Sequence, residues 1–256
     1  MLKEKDIKRI LRKYVYSPSA VLMRCAEVDL LSEQRFRGPI LDLCCGDGFI
    51  ASLLDVSFDA GCDWSDVEVR NALQSGVYRD VKKADITQVL PYDKESFNTV
   101  VSNSALEHVK DINTALMNIR DVLKPGGKLI FTLASDMAYK WWPCSKEAKQ
   151  EYFRIQPVYN YFSLEEWKER LGVSGMRYIS HQYYLDRFMS RVMFFIDYYH
   201  SMVILNCKKG PAGFIVKVLK RFPESFLRFL WSVLLVRRTY RQKDTGGGIL
   251  IVAEKI

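Results

Sequence analysis

An apolar run closed by glycines, ILDLCCGDGFIA at residues 40–51, constrains this chain more than any other feature. Its first residues suit a buried strand. Gly46 and Gly48 suit a sharp turn out of it, because glycine reaches positive φ without steric cost. A turn of this kind lets backbone approach a ligand at a helix N-terminus, where free N–H groups meet polar ligand atoms. The stretch reads in two registers that imply different nucleotides. From Gly46 it is G-x-G-x-x-A, the phosphate-cradling turn of dinucleotide enzymes; from Asp42 it is an acid-led turn, D-x-C-C-G-x-G.

The rest of the chain repeats the strand-then-helix rhythm. Ile7, Ile10, Leu11 and Tyr14, then Val21, Leu22, Cys25, Val28 and Leu31, predict two short helices before the first strand. Strands are expected at Ile40–Leu43, Ala60–Trp64, Val81–Ala84, Thr99–Ser102, Lys128–Leu133, Met176–Ile179 and Ile249–Ala253. A helix is expected to open at Phe49–Leu54. Ser65 and Asp111 read as N-caps, and Ser163 with Glu166 as a capping box. Pro125, Gly126 and Gly127 are expected to stop the helix that carries Leu116 and Ile119. Strands alternating with helices imply a mostly parallel sheet with helices on both faces and ligands at the carboxyl ends of the strands.

At 256 residues, 48% hydrophobic and 27% charged, the chain is read as one α/β domain with additions. Six cysteines and three histidines show no metal-type spacing, and MLKEKDIKRI lacks an apolar signal core, so a reducing cytoplasm is the expected home. The net charge of +8 is concentrated late: ten basic against two acidic residues between Ser201 and Thr245 account for all of it.

Five segments in order carry a resemblance: ILDLCCGDG, GCDWS, ADITQVLPY, FNTVVSNSALEHV and VLKPGGKLIFT. They resemble the class I S-adenosylmethionine-dependent methyltransferases, small-molecule type, strongly over Gly38–Leu133. The resemblance implies a doubly wound, seven-stranded, mostly parallel Rossmann-like sheet, with S-adenosyl-L-methionine as cofactor and S-adenosyl-L-homocysteine as product. It implies that Asp42, Gly46 and Gly48 form the cofactor turn. Cys44 stands where the family has glycine, and cofactor binding is expected to survive if its φ stays below zero. Asp63 would meet the ribose beside Trp64, Asp85 and the Ile86 N–H the adenine, and Asn103 the methionine portion. Asp63 fits a dinucleotide as well. Asp42, Asp85 and the K-P-G-G turn favour the methyl donor. A non-catalytic S-adenosylmethionine sensor or scaffold, and an NAD(P)-dependent oxidoreductase, remain as alternatives.

Methyl transfer from a sulfonium is an in-line displacement that needs positioning and exclusion of water. His108 is the candidate base or acceptor-orienting group, against a packing or capping role; Glu107 is expected to be solvated or capping. His181, His200 and Cys144 are weaker candidates, and no metal site is expected. The domain plan is N-terminal helices at 1–38, a cofactor core at 39–135, substrate-cap insertions at 136–162 and 181–245, and a final strand at 246–256. Aromatic residues crowd both insertions and suit an apolar or sugar-bearing acceptor. Residues 213–241 have too short an uncharged run to span a membrane, but interleave apolar and basic side chains as an interfacial helix pair does. The expected partner is thus a small or lipid-linked acceptor, with an anionic membrane surface possible through 213–241, peripheral on the inner face. An ordinary helical cap with a solvated basic face is the alternative, and nucleic acid ranks third.

Overall fold

The computed structural model describes residues 2–206, 219–236 and 240–256, with the backbone alone for 199–206. Two helices, α1 (Glu4–Lys13) and α2 (Pro18–Leu31), lead into the sheet. The strands are β1 (Ile40–Leu43), β2 (Phe58–Asp63), β3 (Tyr78–Lys83), β4 (Phe97–Asn103), β5 (Leu123–Ala134), β6 (Met176–Tyr184), β7 (Arg241–Gln242) and β8 (Gly248–Lys255). Between and after them come α3 (Asp66–Ser75), α4 (Ile112–Val122), α5 (Asp136–Trp141), α6 (Lys146–Ile155), α7 (Leu164–Val173), α8 (Arg187–Asn206) and α9 (Glu224–Leu234).

The sheet order is β3-β2-β1-β4-β5-β8-β6-β7. Strands β1 to β5 pair in parallel, and β8 inserts antiparallel between β5 and β6. The seven expected strands are present, and the two-residue β7 adds an edge pairing on β6. Alternation along the central strands sorts side chains to two cores. Ile40, Val101 and Ile130 face one core, beneath α1, α2, α5, α6 and α8. Leu41, Leu43, Val100, Leu129 and Phe131 face the other, beneath α4 and α7.

Local signals explain the helix ends. The Ser65 and Asp111 side chains accept from the N–H groups of Glu68 and Thr114, and Ser163 with Glu166 closes a capping box. Gly76 ends α3 at φ 68°.

Two expectations are corrected. Helix α4 ends at Val122, before the K-P-G-G stretch, which instead opens β5. There Gly126 takes φ 72° and the register against β4 shifts between Phe97 and Thr99, so these glycines make an irregularity in a strand, not a helix stop. The segment after the glycine turn forms only a single 3₁₀ turn, Ala51–Leu53. It takes its partners from α1 and the residue before it: the Arg9 guanidinium donates to Ser52 O at 2.8 Å and Ser52 Oγ at 2.7 Å, and Lys13 pairs with Asp47 and Lys3 with Asp55.

Candidate active site

The glycine turn lies at the carboxyl end of β1. Gly46 and Gly48 take φ 53° and 77°, and Cys44 takes φ 58°. The condition on which Cys44 was expected to leave cofactor binding intact, a φ below zero, is therefore not met. Cysteine keeps the left-handed backbone that glycine would adopt, because neighbouring hydrogen bonds such as Cys45 N–H to Cys62 O hold the turn. Burial raises the Cys44 thiol well above its ordinary range, so it stays neutral. A Cβ on Gly46 would meet nothing within 4 Å, whereas one on Gly48 would strike the Tyr78 ring at 2.9 Å. Gly46 thus opens toward space, and Gly48 serves packing.

Two buried aspartates support this turn. Asp63 accepts from the N–H groups of Gly46 and Ser65, each at 3.0 Å, which ties the turn to the start of α3. Asp42 accepts from the Tyr78 hydroxyl at 2.6 Å. Burial pushes the Asp42 carboxyl up to about 7, with Tyr78 pulling it down and Asp63 adding to the rise. Neither aspartate has an ion-pair partner among the described residues.

Three cavities meet around this point. A cavity of about 230 Å³ is lined by Asp42, Cys44, Gly46 and Asn103 together with Tyr14 and Arg24 of the N-terminal segment. A larger one, about 960 Å³, is lined by Cys44, Trp64, Asp85, Ile86 and His108. Asp63 and Gly48 line neither. Trp64 is 74% exposed, and Asp85 Oδ1 accepts from both the N–H and the hydroxyl of Thr87. The Asn118 amide donates to Ile86 O at 3.0 Å and Gln88 O at 2.7 Å, holding this loop from α4.

The third cavity, about 160 Å³, lies under the insertions, bordered by α2, α6 and α8. Tyr139, Tyr152, Phe194, Met23 and Met193 form much of its wall, with His108 and Glu107 at its edge. Tyr139, Trp142, Tyr152 and Phe194 also pack on one another with ring centroids 5.1 to 6.0 Å apart, so the aromatic insertion is both core and wall. Ser104 lines all three cavities, at φ 47°.

Several groups here escaped the sequence reading. Glu27 on α2 is fully buried; it pairs with Arg24, accepts from Ser104 Oγ, and accepts from Asn103 Nδ2 at 3.1 Å. The amide of Asn160 donates to Leu106 O at 2.7 Å and Val109 O at 2.6 Å, clasping the turn that carries Glu107 and His108. Charged residues set inside the otherwise apolar run VLMRCAEVDLL, Arg24, Glu27 and Asp29, were the available signal for Glu27; Asn160 left none. Glu107 itself is corrected. It is 3% exposed rather than solvated, and its Oε2 has no hydrogen-bond partner among the described residues. Burial pushes its carboxyl up to about 7, with His108 pulling it down. His108 is exposed and its Nδ1 lies 2.6 Å from Pro157 O. A carbonyl only accepts, so Nδ1 carries the proton and, in the neutral ring, Nε2 is left with a free lone pair.

His181 sits on β6 against the Tyr178 hydroxyl, away from the cavities, and the His200 side chain lies outside the described residues. Cys144 follows α5, and burial raises its thiol, which does not favour a nucleophile.

Residues 41–131 match the family model for a methyltransferase domain. Those residues therefore carry a methyltransferase domain, and the fold is that of S-adenosylmethionine-dependent methyltransferases of known structure. Among curated proteins, this methyltransferase chain is 33% identical over 93 residues to arginine-hydroxylase NDUFAF5 of Mus musculus, covering 35% of this chain and 27% of that one. It is 29% identical over 179 residues to demethylmenaquinone methyltransferase of Listeria monocytogenes, covering 56% of this chain and 72% of that one. Among solved structures, a methyltransferase of Thermotoga maritima described as a possible histamine N-methyltransferase aligns with a TM-score of 0.61 at 17% identity, over 99% of this chain and 100% of that one. The methyltransferase fold is therefore shared with that structure. Among the described residues, no helix is long and apolar enough to cross a membrane.

Proposed function

We propose that the chain transfers a methyl group from S-adenosyl-L-methionine to a small acceptor bearing an apolar ring, leaving S-adenosyl-L-homocysteine. The observation that carries this reading is the meeting of the three cavities at Ser104: two border the family's cofactor motifs, and the third is walled by the insertions. The residues present fit the cofactor. Asp42 and Asp63 are buried carboxylates without a cationic partner among the described residues, suited to a cationic, hydroxyl-bearing ligand, and the space beside Gly46 is open. In this reading Asp42, Cys44, Gly46 and Asn103 hold the methionine end and Gly48 shapes the turn. Asp63 and Trp64 hold the ribose, and Asp85 with Ile86 the adenine.

Bound there, the cofactor supplies an electrophilic methyl. The chain supplies position and dryness. Glu27 fixes Asn103 and Ser104 at the end of β4, Asn160 fixes the following turn, and the aromatic wall excludes water. His108 presents Nε2 toward the acceptor side and orients it. The Listeria relative is named for demethylmenaquinone, and the apolar walls here favour a related class, the reduced diol form of a quinone-type ring, over a lipid-linked sugar. A lipidic acceptor also agrees with α9, which keeps Phe226, Phe229 and Val233 exposed near Lys220, Arg221 and Arg228.

Calorimetry with S-adenosylhomocysteine tests the cofactor half. Wild type should bind it, and Asp63→Asn should bind at least about tenfold more weakly, the cost of losing a charge-assisted hydrogen bond. Transfer of labelled methyl to 1,4-dihydroxynaphthalene and to a lipid extract tests the reaction. Binding without transfer to either would move the reading to a cofactor sensor; a folded protein that binds nothing would end it.

A further inference from the structure

The reaction just proposed leaves a buried acid unused. Glu107 borders the insertion-walled cavity, is nine-tenths buried and more, and its Oε2 has no partner among the described residues. A buried carboxyl oxygen without a donor carries a desolvation cost that a ligand's O–H or N–H would offset. The other acids in or beside this cavity are engaged. Glu27 is taken by Arg24, Asn103 and Ser104, and Asp197 accepts from Ser19 Oγ at 2.9 Å and the Tyr152 hydroxyl at 2.7 Å. The nearby phenols of Tyr139, Tyr152 and Tyr184 are pushed upward by burial and stay neutral, which removes them as bases.

Resting on the methyl-transfer reading, we infer that Glu107 is the catalytic base, receiving the proton of a phenol- or quinol-type hydroxyl held in this cavity. The acceptor's O–H bond breaks and its proton forms a new bond to Oε2. The electron pair left on the acceptor, at oxygen or at a conjugated ring carbon, forms the bond to the methyl carbon while the carbon–sulfur pair returns to sulfur. Where carbon is methylated, the ring carbon then loses its C–H proton to water and the ring oxygen regains a proton, which restores the aromatic hydroxyl and releases one proton net. The proton on Glu107 passes to solvent when the product leaves.

The groups that set the charge state of Glu107 come from every element around it: His108 beside it, Arg24 and Glu27 on α2, Tyr139 on α5, Tyr152 on α6, Tyr184 on β6 and Asp197 on α8. Burial outweighs the rest and keeps the carboxyl protonated below about pH 7. The carboxylate that can accept the proton therefore gains population as pH rises through neutrality.

The experiment is calorimetric titration of 1,4-dihydroxynaphthalene, kept reduced, into the full chain saturated with S-adenosylhomocysteine, at pH 6 and pH 8. Wild type should bind more tightly at pH 8, and Glu107→Gln should bind about tenfold or more weakly at pH 8 with no pH dependence. Methyl transfer to the same compound should fall about 10²–10⁴-fold in Glu107→Gln, while His108→Gln retains the pH dependence. Equal affinity and equal pH dependence in wild type and Glu107→Gln overturns the inference. So does a wild-type protein that binds S-adenosylhomocysteine but not the naphthalene diol. Absence of S-adenosylhomocysteine binding is a separate failure, that of the methyl-transfer reading itself. If Glu107→Gln does not fold, carbon-13 NMR of the wild-type carboxyls decides: a Glu107 that titrates in the ordinary carboxylate range overturns the assignment.

Discussion

Cys44 and Ser104 are the two non-glycine residues that hold left-handed backbone in the cavity walls, at φ 58° and 47°. Such residues cost roughly 1–2 kcal/mol each and persist where surroundings over-determine them. Cys44→Gly removes that strain at the cost of a freer unfolded chain, so urea denaturation should place it within about 1 kcal/mol of wild type, with S-adenosylhomocysteine still bound. Cys44→Val puts a branched Cβ at positive φ and should lose at least about 2 kcal/mol; equal stability of the two variants would remove the strain argument. Asp42 makes a prediction in pH. Its folded pKa is raised to about 7 from 3.8, so the folded state binds the proton more tightly than the unfolded chain. Its stabilising contribution is complete below about pH 4 and is lost as pH rises through 7. In ligand-free protein, Asp42→Asn should therefore gain on wild type between pH 5 and pH 8, by up to a few kcal/mol; a difference that does not change with pH counts against the raised pKa.

At the scale of elements, the caps were legible because each signal is local: Ser65, Asp111 and the Ser163–Glu166 box need only residues three positions away. The helix expected at Phe49–Leu54 was not, because Arg9 on α1 reaches Ser52, and Lys13 and Lys3 pair with Asp47 and Asp55 on either side, so the segment is held without a helix. The clasp by Asn160 is equally non-local, reaching Leu106 and Val109 across more than fifty residues. Asn160→Ala leaves two carbonyls without their donor and should cost roughly 1–3 kcal/mol. It should also loosen the insertion, so limited trypsin digestion should cut sooner at Lys146, Lys149 or Arg154 on α6. An unchanged cleavage pattern would mean that the aromatic packing alone holds the insertion.

The whole molecule has one face that the fold leaves partly uncovered. Leu227 and Leu235 are buried and Trp231 donates to Val15 O at 2.8 Å, which docks α9 on the N-terminal helices. Its other side keeps Phe222, Phe226, Phe229 and Val233 exposed, close in sequence to Lys220, Arg221 and Arg228. Lys217, part of the same basic run, lies outside the described residues. If this face meets anionic lipid, each basic residue contributes about 1 kcal/mol. Replacing Lys220, Arg221 and Arg228 by glutamine should then lower co-sedimentation with phosphatidylglycerol vesicles about a hundredfold in affinity, with little change on neutral vesicles. Identical pelleting of wild type and the triple variant on both would leave α9 as a plain helical cap.

Strand positions, caps and the acid-led glycine turn follow from short-range pattern, because apolar alternation and turn chemistry act over a few residues. Three separate motifs named Asp42 and Gly46, Asp85, and Asn103, and the fold brings Asp42, Gly46 and Asn103 to one cavity and Asp85 to the neighbouring one, at the carboxyl ends of β1, β3 and β4. Only the tertiary structure decided that α2 would bury Glu27 against the end of β4, and that Glu107, polar and placed like a surface residue in NSALEHV, would be buried beside a cavity with its Oε2 lacking a hydrogen-bond partner among the described residues. Burial is a property of what packs on a residue from elsewhere in the chain. A carboxyl's proton affinity follows that burial, not its neighbours in sequence.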